Sequence, residues 1–284
     1  MTILVAEIGI NHNGDMNIAK RLIAVAHAAG FDYVKLQKRT IDLVYTPEEL
    51  DKPRESPWGK TNRDQKLGLE FSWDQYSELW QYCQHVGIKM FWSVWDTESV
   101  WQTASRFTDI DYIKVPSALI TDEKILGAVK DTGIPTIIST GMSTAAEVER
   151  AISFLRPAWV LACTATYPCP IGDVNLGEIV WLQKVCNPYA NTRVGFSNHC
   201  DSPVFIPAAV ALGAEMIELH LTLDRSTYGS DQRASIEPEG VLRLGKWIRY
   251  LEKGLGEPSK KVQISEIPVR EKLRFNLSRK ELDI

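Results

Sequence analysis

Cysteine is scarce and scattered: the five in the chain, Cys83, Cys163, Cys169, Cys186 and Cys200, include no CxxC pair. An odd, unclustered set argues against a disulfide framework and against a structural zinc site, and reduced thiols in a cytoplasm are the expectation. Long apolar runs are missing too. The opening MTILVAEIGI has neither a basic leader nor enough hydrophobic length for a signal or a membrane span, so no membrane is expected and the sequon Asn276-Leu277-Ser278 carries no meaning. Positive charge is not in excess either, because 32 Lys and Arg against 36 Asp and Glu leave a formal net charge of −4. Without a basic field for a nucleic-acid backbone, an anionic ligand must be held by a few placed groups, and a small-molecule protein is expected. No G-x-G-x-x-G follows the first strand-like run, which weakens a dinucleotide-binding fold.

What is present is a repeating rhythm. The chain has 284 residues, 44% of them hydrophobic, enough for a large core. Strand-like apolar runs are read at 3–10, 33–38, 89–95, 112–117, 135–140, in WVLACTA ending near Ala165, from Arg193 and from Met216. Helical spacing or helix chemistry falls between them, at 17–29, 72–85, 97–106, 122–131, 144–155, 176–185, in the small-residue stretch PVFIPAAVALGA and at 238–253. Strands that are apolar nearly throughout fit a parallel sheet covered on both faces. Eight such units in about 255 residues predict an α/β TIM (β/α)8 barrel, with a doubly wound open sheet as the alternative. The barrel is expected over residues 1–256, leaving 257–284 as a charged tail, either a packed helix or a stub. The polar stretch 39–70 shows little periodicity and reads as a long loop of the kind that is usually functional. The tryptophan-rich segment 73–101 reads as core rather than interface.

A barrel builds its active site at the carboxyl end of the strands, so polar residues there are candidates. Two consecutive runs, RVGFSNH and MIELH, end in His199 and His220. On neighbouring parallel strands both imidazoles would share one rim, a plausible half of a metal site, although a rim histidine is more often simply hydrogen-bonded. Glu218 and Asp231 lie close by in sequence. Lys35 and Lys114 fall inside strands, where an ammonium is expensive unless it meets an anion or points outward to a salt bridge. With the hydroxyls of Ser117, Ser139 and Ser197 they suggest a pocket for a phosphate and a carboxylate, the two groups of phosphoenolpyruvate. Glu7, Asn11, His12, Gln37, Ser93, Thr140, Thr164, Thr166, Tyr167 and Asn198 complete the rim set.

The series EIGINHNG from Glu7, VKLQ from Val34, STGM from Ser139, GFSNH from Gly195 and IELHLTLDR from Ile217 resembles the sialic acid synthase family, in order along nearly the whole barrel. That resemblance implies condensation of phosphoenolpyruvate with an N-acylated mannosamine-type aldose, giving a nine-carbon 2-keto acid and phosphate. It implies that His199 and His220 hold a divalent ion, Mn2+ or Mg2+, acting as Lewis acid on the aldehyde. Glu7 would handle the water or a proton, with Asp231 against the metal-bound water or the sugar. Lys35, Lys114, Ser117, Ser139 and Ser197 would hold phosphoenolpyruvate, and Gln37, Tyr167 and Glu218 would face the sugar.

The chain departs from the family pattern in places. SVWD at Ser93–Asp96 stands for STPF, KVPSAL at Lys114–Leu119 for KIGSGD or KIGSGE, Leu219 for a basic residue and Ala165 for an asparagine of some members. The family usually continues into an antifreeze-like domain that reaches across a homodimer, whereas this sequence stops in what resembles the connecting segment. A separately encoded domain or a different acyl-aminosugar would reconcile the two. Another phosphoenolpyruvate or aldol-type enzyme, and a silent sugar-binding barrel, are the alternatives in function.

Overall fold

Local chemistry sets the boundaries of the helices. In the computed structural model, which describes residues 1–274, Asp15 caps α1 (Met16–Ala28), and Ser72 with Gln75 forms a capping box on α2 (Trp73–Val86). Gly87, at φ 89°, ends α2 in the left-handed region where a Cβ would be strained. Asp96 caps α3 (Thr97–Arg106), Asp122 caps α4 (Glu123–Thr132), and Thr144 with Glu147 boxes α5 (Ala145–Leu155). The remaining barrel helices are α6 (Gly177–Cys186), α7 (Phe205–Ala211) and α8 (Pro238–Leu255).

Between them run eight strands: β1 (Ile3–Glu7), β2 (Tyr33–Lys38), β3 (Lys89–Val94), β4 (Ile113–Val115), β5 (Thr136–Ser139), β6 (Trp159–Cys163), β7 (Arg193–Asn198) and β8 (Met216–His220). All pair in parallel, and β1 pairs with both β2 and β8, so the sheet closes into the expected TIM barrel. Their interiors are almost wholly buried, and Leu4, Val34, Ile113, Ile138, Val160 and Ile217 belong to one continuous core. The tryptophan-rich segment divides three ways: Trp92 is fully buried among Trp73, Tyr76, Trp80 and Phe107, Trp95 turns to the barrel mouth, and Trp101 is exposed.

One expectation is corrected. The stretch 39–70 is not a structureless loop but carries short helices Ile41–Val44, Pro47–Leu50 and Asn62–Leu69 and an antiparallel hairpin of Pro53–Ser56 with Gly59–Thr61. Four-residue helices are too short to register as a 3.6-residue period, which is why the sequence looks unpatterned there. The strap meets the loop after β8, where the Trp58 and Tyr228 rings lie 5.8 Å apart and the Tyr228 hydroxyl donates to the Glu55 carbonyl at 3.4 Å.

The chain divides into one compact unit, Met1–Glu252, and a second beginning at Lys253, which holds a 3-10 turn Ile264–Glu266 and a helix Ile267–Leu273. The sequon lies outside the described residues. No helix among those described is long and apolar enough to cross a membrane, and all five cysteines are buried and free.

Candidate active site

Register brings the charged residues together. Glu7 is the Cα partner of Lys35 on one side and of His220 on the other, while Glu218 pairs with Ser197 and Ser93 with Lys114. Alternation along each strand then turns these side chains inward. The result is a pocket of about 210 Å³ at the carboxyl mouth, lined by Glu7, Lys35, Gln37, Lys114, Ser117, Ser139, Tyr167, Ser197, His199, Glu218 and His220 among others. Every residue singled out from sequence as a substrate or metal contact is therefore in one cavity. Asp231 sits just behind it, Oδ2 3.6 Å from His220 Nδ1.

At the floor the charges are paired. Lys114 Nζ donates to both oxygens of Glu218 at 2.6 and 2.7 Å, Ser197 Oγ donates to Glu218 Oε1 at 3.1 Å, and Lys35 Nζ lies 3.6 Å from the same oxygen while ion-pairing with Glu7. Burial alone would raise Glu218, but Lys114 and then Lys35 hold its carboxyl below the usual range. Burial is the main cause that brings Lys35 down to about 7, against the opposing pull of Glu218. Glu218 thus sits between the two ammoniums. Glycine at position 9 is required here, because with φ 20° a Cβ would run into Glu7 Oε1 and come within 2.6 Å of Gln37 Nε2.

The two imidazoles share the rim, with ring centroids 5.2 Å apart. Burial, aided by nearby positive charge, lowers both to about 3, so they are neutral at ordinary pH. The Thr164 carbonyl, which can only accept, lies 3.0 Å from His199 Nδ1. That nitrogen therefore carries the proton and Nε2 keeps its lone pair, met by the Tyr167 hydroxyl at 3.0 Å. His220 Nδ1 is buried with no hydrogen-bond partner among the described residues. Two neutral imidazoles, one with an unpartnered nitrogen, fit a divalent ion. No cluster of three or more His, Cys, Asp or Glu side chains suited to a metal occurs among the described residues. The Cys163 thiol, 3.5 Å from His199 Nδ1, is pushed by burial to about 11 and stays protonated.

Other rim candidates have structural duties. His12 stacks on Phe71 with centroids 4.1 Å apart and accepts from the Gly14 N–H, and Asn11 donates to the Leu221 carbonyl and Ser235 Oγ, fastening the loop after β8. Thr140 bonds Glu178 and the Leu161 carbonyl, and Thr164 bonds the Asp173 carbonyl. Of the departures from the family pattern, Val94 and Leu219 are fully buried and do not line the pocket, whereas Ala118, Ala165 and Trp95 do. Arg39 and Trp95 went unnoticed in the sequence. The guanidinium lies 4.0 Å from the Trp95 ring centroid and donates to Gln37 Oε1; a cation two residues beyond a pocket-lining glutamine was the only signal.

Residues 22–260 match the model of the NeuB family. The chain is 36% identical to human N-acetylneuraminate-9-phosphate synthase, covering 95% of this chain and 76% of that protein. It is 33% identical to the N,N'-diacetyllegionaminic acid synthase of Campylobacter jejuni, covering 99% and 84%. Among solved structures, the N-acetylneuraminic acid (sialic acid) synthetase of Leptospira borgpetersenii superposes with a TM-score of 0.81 at 28% identity, over 96% of this chain and 92% of that one. A truncated 3-deoxy-D-arabino-heptulosonate 7-phosphate synthase of Thermotoga maritima, at 10% identity and a TM-score of 0.65, shares the fold.

Proposed function

The chain belongs to the NeuB family, and from that premise we propose that it condenses phosphoenolpyruvate with an N-acylated amino-aldose to give a nonulosonic 2-keto acid and phosphate. The observation that carries the reading is the single pocket in which Lys35 and Lys114 face Glu7, His199 and His220. Two ammoniums and the hydroxyls of Ser117, Ser139 and Ser197 suit a small ligand bearing both phosphate and carboxylate. Ser139 Oγ is buried with no partner among the described residues, as a group reserved for a ligand would be.

In this scheme carbon three of the enol attacks the aldehyde carbon, water adds at carbon two, and the carbon–oxygen bond to phosphate breaks. Lys35 and Lys114 hold the doubly anionic ester, which competes with Glu218 for their charge. Glu7 would move the proton of the adding water, with Asp231, 3.6 Å from His220 Nδ1, against the sugar. His199 and His220 would hold Mn2+ or Mg2+, which polarises the aldehyde when bound. Gln37 and Tyr167, the latter 45% exposed, stand at the sugar end. The names of the relatives divide between a 9-phosphate product and acids without one, so they do not choose the acceptor.

The test is loss of the enol absorbance of phosphoenolpyruvate, with manganese and a panel of N-acyl hexosamines, in the wild type and in His220→Ala. Consumption that needs an added aldose and fails in the variant is expected. Turnover with a short aldehyde instead, or saturable sugar binding without turnover, overturns the assignment.

A further inference from the structure

Trp95 lines the pocket but has no duty in the condensation scheme. It is the third residue of SVWD, at the position of the proline in STPF, a side chain without a donor. Its backbone N–H donates to the Lys38 carbonyl at 3.1 Å, so the ladder of β3 runs one residue past Val94. Alternation along an extended chain turns every second side chain the same way, and Ser93 and Trp95 line the pocket whereas Val94 does not. Ser93 is level with Lys114, its Cα partner. Two residues further on, Trp95 stands about 6–7 Å along the strand toward the mouth from the level of that lysine.

The indole is held in place and its donor is left over. Arg39 stacks on the ring, its guanidinium 4.0 Å from the centroid, and itself donates to Gln37 Oε1. That bond fixes the Gln37 amide so that its other end, Nε2, is a donor. Trp95 Nε1 and Arg39 Nε are buried with no partner among the described residues. This arm of the rim offers N–H groups alone, and a buried donor without an acceptor costs free energy that a ligand oxygen would recover. Around the next strand ends the lining is small and apolar, with Pro116 and Ala118 after β4 and Ala165 after β6. Gly141, after β5, closes them into one surface: a Cβ there would come within 2.9 Å of Ser117 Oγ and 2.7 Å of Ala165 Cβ.

Resting on the reading that this pocket condenses phosphoenolpyruvate with an N-acylated amino-aldose, we propose that Trp95 is a specificity residue for the acceptor, its indole N–H donating to the carbonyl oxygen of the acyl group. An acyl carbonyl accepts and cannot donate, which is what an arm made of donors requires. Its alkyl end suits Pro116, Ala118 and Ala165, and a hydroxyl in place of the acylamino group has no alkyl end to bury there. The enol ester, gripped by Lys35 and Lys114, lies a level below the indole.

The probes are N-acetylmannosamine and mannose, titrated against the full chain by calorimetry and then supplied with phosphoenolpyruvate and manganese, in the wild type and in Trp95→Phe. The variant keeps an aromatic ring for Arg39 and removes only the donor. The acylated sugar is expected to bind at least ~10-fold more tightly than mannose to the wild type, and the variant should lose roughly tenfold of that preference, a ratio worth about 1.4 kcal/mol and the size of one hydrogen bond. The KM for phosphoenolpyruvate should be unchanged, which also reports an intact floor. In the wild type, the indole N–H resonance that disappears in Trp95→Phe should move downfield with N-acetylmannosamine and stay put with mannose. A preference that survives in the variant, equal weakening of both sugars, or a rise in the KM for phosphoenolpyruvate instead overturns the inference. Loss of the preference in a protein that never consumes phosphoenolpyruvate would sink the condensation reading and leave the role of Trp95 standing. Condensation with the preference untouched in the variant would do the reverse.

Discussion

Beside β3, the indole N–H of Trp92 donates to Thr103 Oγ1 at 2.8 Å, and Lys38 Nζ is held by Glu70 at 2.6 Å, by the Phe71 carbonyl at 2.8 Å and by the ring of Trp73. At the mouth of the same barrel, Ser139 Oγ and His220 Nδ1 are equally buried and have no partner among the described residues, and the Glu7 carboxylate pairs with the Lys35 ammonium. Both regions bury polar groups. They differ in whether the protein satisfies those groups itself or leaves them for something else. Buried polar atoms are nearly always hydrogen-bonded, so unsatisfied ones gathered in a single cavity mark where a ligand belongs.

The contrast can be broken from either side. Replacing Glu7 by glutamine keeps the shape of the pocket and leaves Lys35 with Glu218, 3.6 Å away. Loss of a group that moves a proton should lower kcat about 10²- to 10⁴-fold. Retention of kcat within tenfold would remove Glu7 from the chemistry. In the aromatic cluster the readout is the opposite one. Trp92 is fully buried against Trp73, Tyr76, Trp80 and Phe107, so Trp92→Ala should cost about 3–5 kcal/mol in urea unfolding. Turnover per folded molecule should stay near wild type. If it fell as steeply as stability, the two regions would not be separable.

A smaller change sharpens the same point. Ser139 has a hydroxyl that the fold does not use, so Ser139→Ala should leave the protein as stable or about 1 kcal/mol more so, because an unpaired buried oxygen is removed. The KM for phosphoenolpyruvate should rise roughly 10- to 100-fold, the size of a hydrogen bond to a charged group. A clear loss of stability with unchanged KM would make Ser139 a structural residue and return it to the first region.

These regions were unequally legible in the sequence. The barrel could be read because each strand is a continuous apolar run and most helices begin at Asp, Ser or Thr and several end at glycine, signals confined to a few adjacent residues. The pairing of His199 with His220 followed from that, since consecutive parallel strands must end at one rim. What escaped was set by contacts between distant segments. His12 and Asn11 have the chemistry of ligands, yet they fasten Phe71, Leu221 and Ser235, none of which is near them in sequence. Arg39, Arg54 and Lys66 are spread through a strap of short helices and a hairpin, with no period to place them on one face. The bond of Glu218 to Lys114 depends on a distance across the barrel that strand register alone does not give.

The least drastic perturbation is of protons alone. Burial holds Lys35 at about 7, well below the ordinary lysine value, whereas His199 and His220 lie near 3. Below about pH 7 the free enzyme therefore presents an ammonium at the pocket floor, and as pH rises through that value the charge is lost and affinity for a doubly anionic ester falls. The pH profile of kcat/KM for phosphoenolpyruvate reports the free enzyme, so it should decline on the alkaline side with an inflection near 7, by at most about tenfold per pH unit. The imidazoles, neutral throughout, should add no inflection near pH 6. Lys35→Met should lower kcat/KM and abolish the alkaline decline together. A variant that lowers the rate but keeps the inflection would assign the titration to another group and leave Lys35 as a counter-charge for Glu7 and Glu218, satisfied within the protein as Lys38 is beside Trp73.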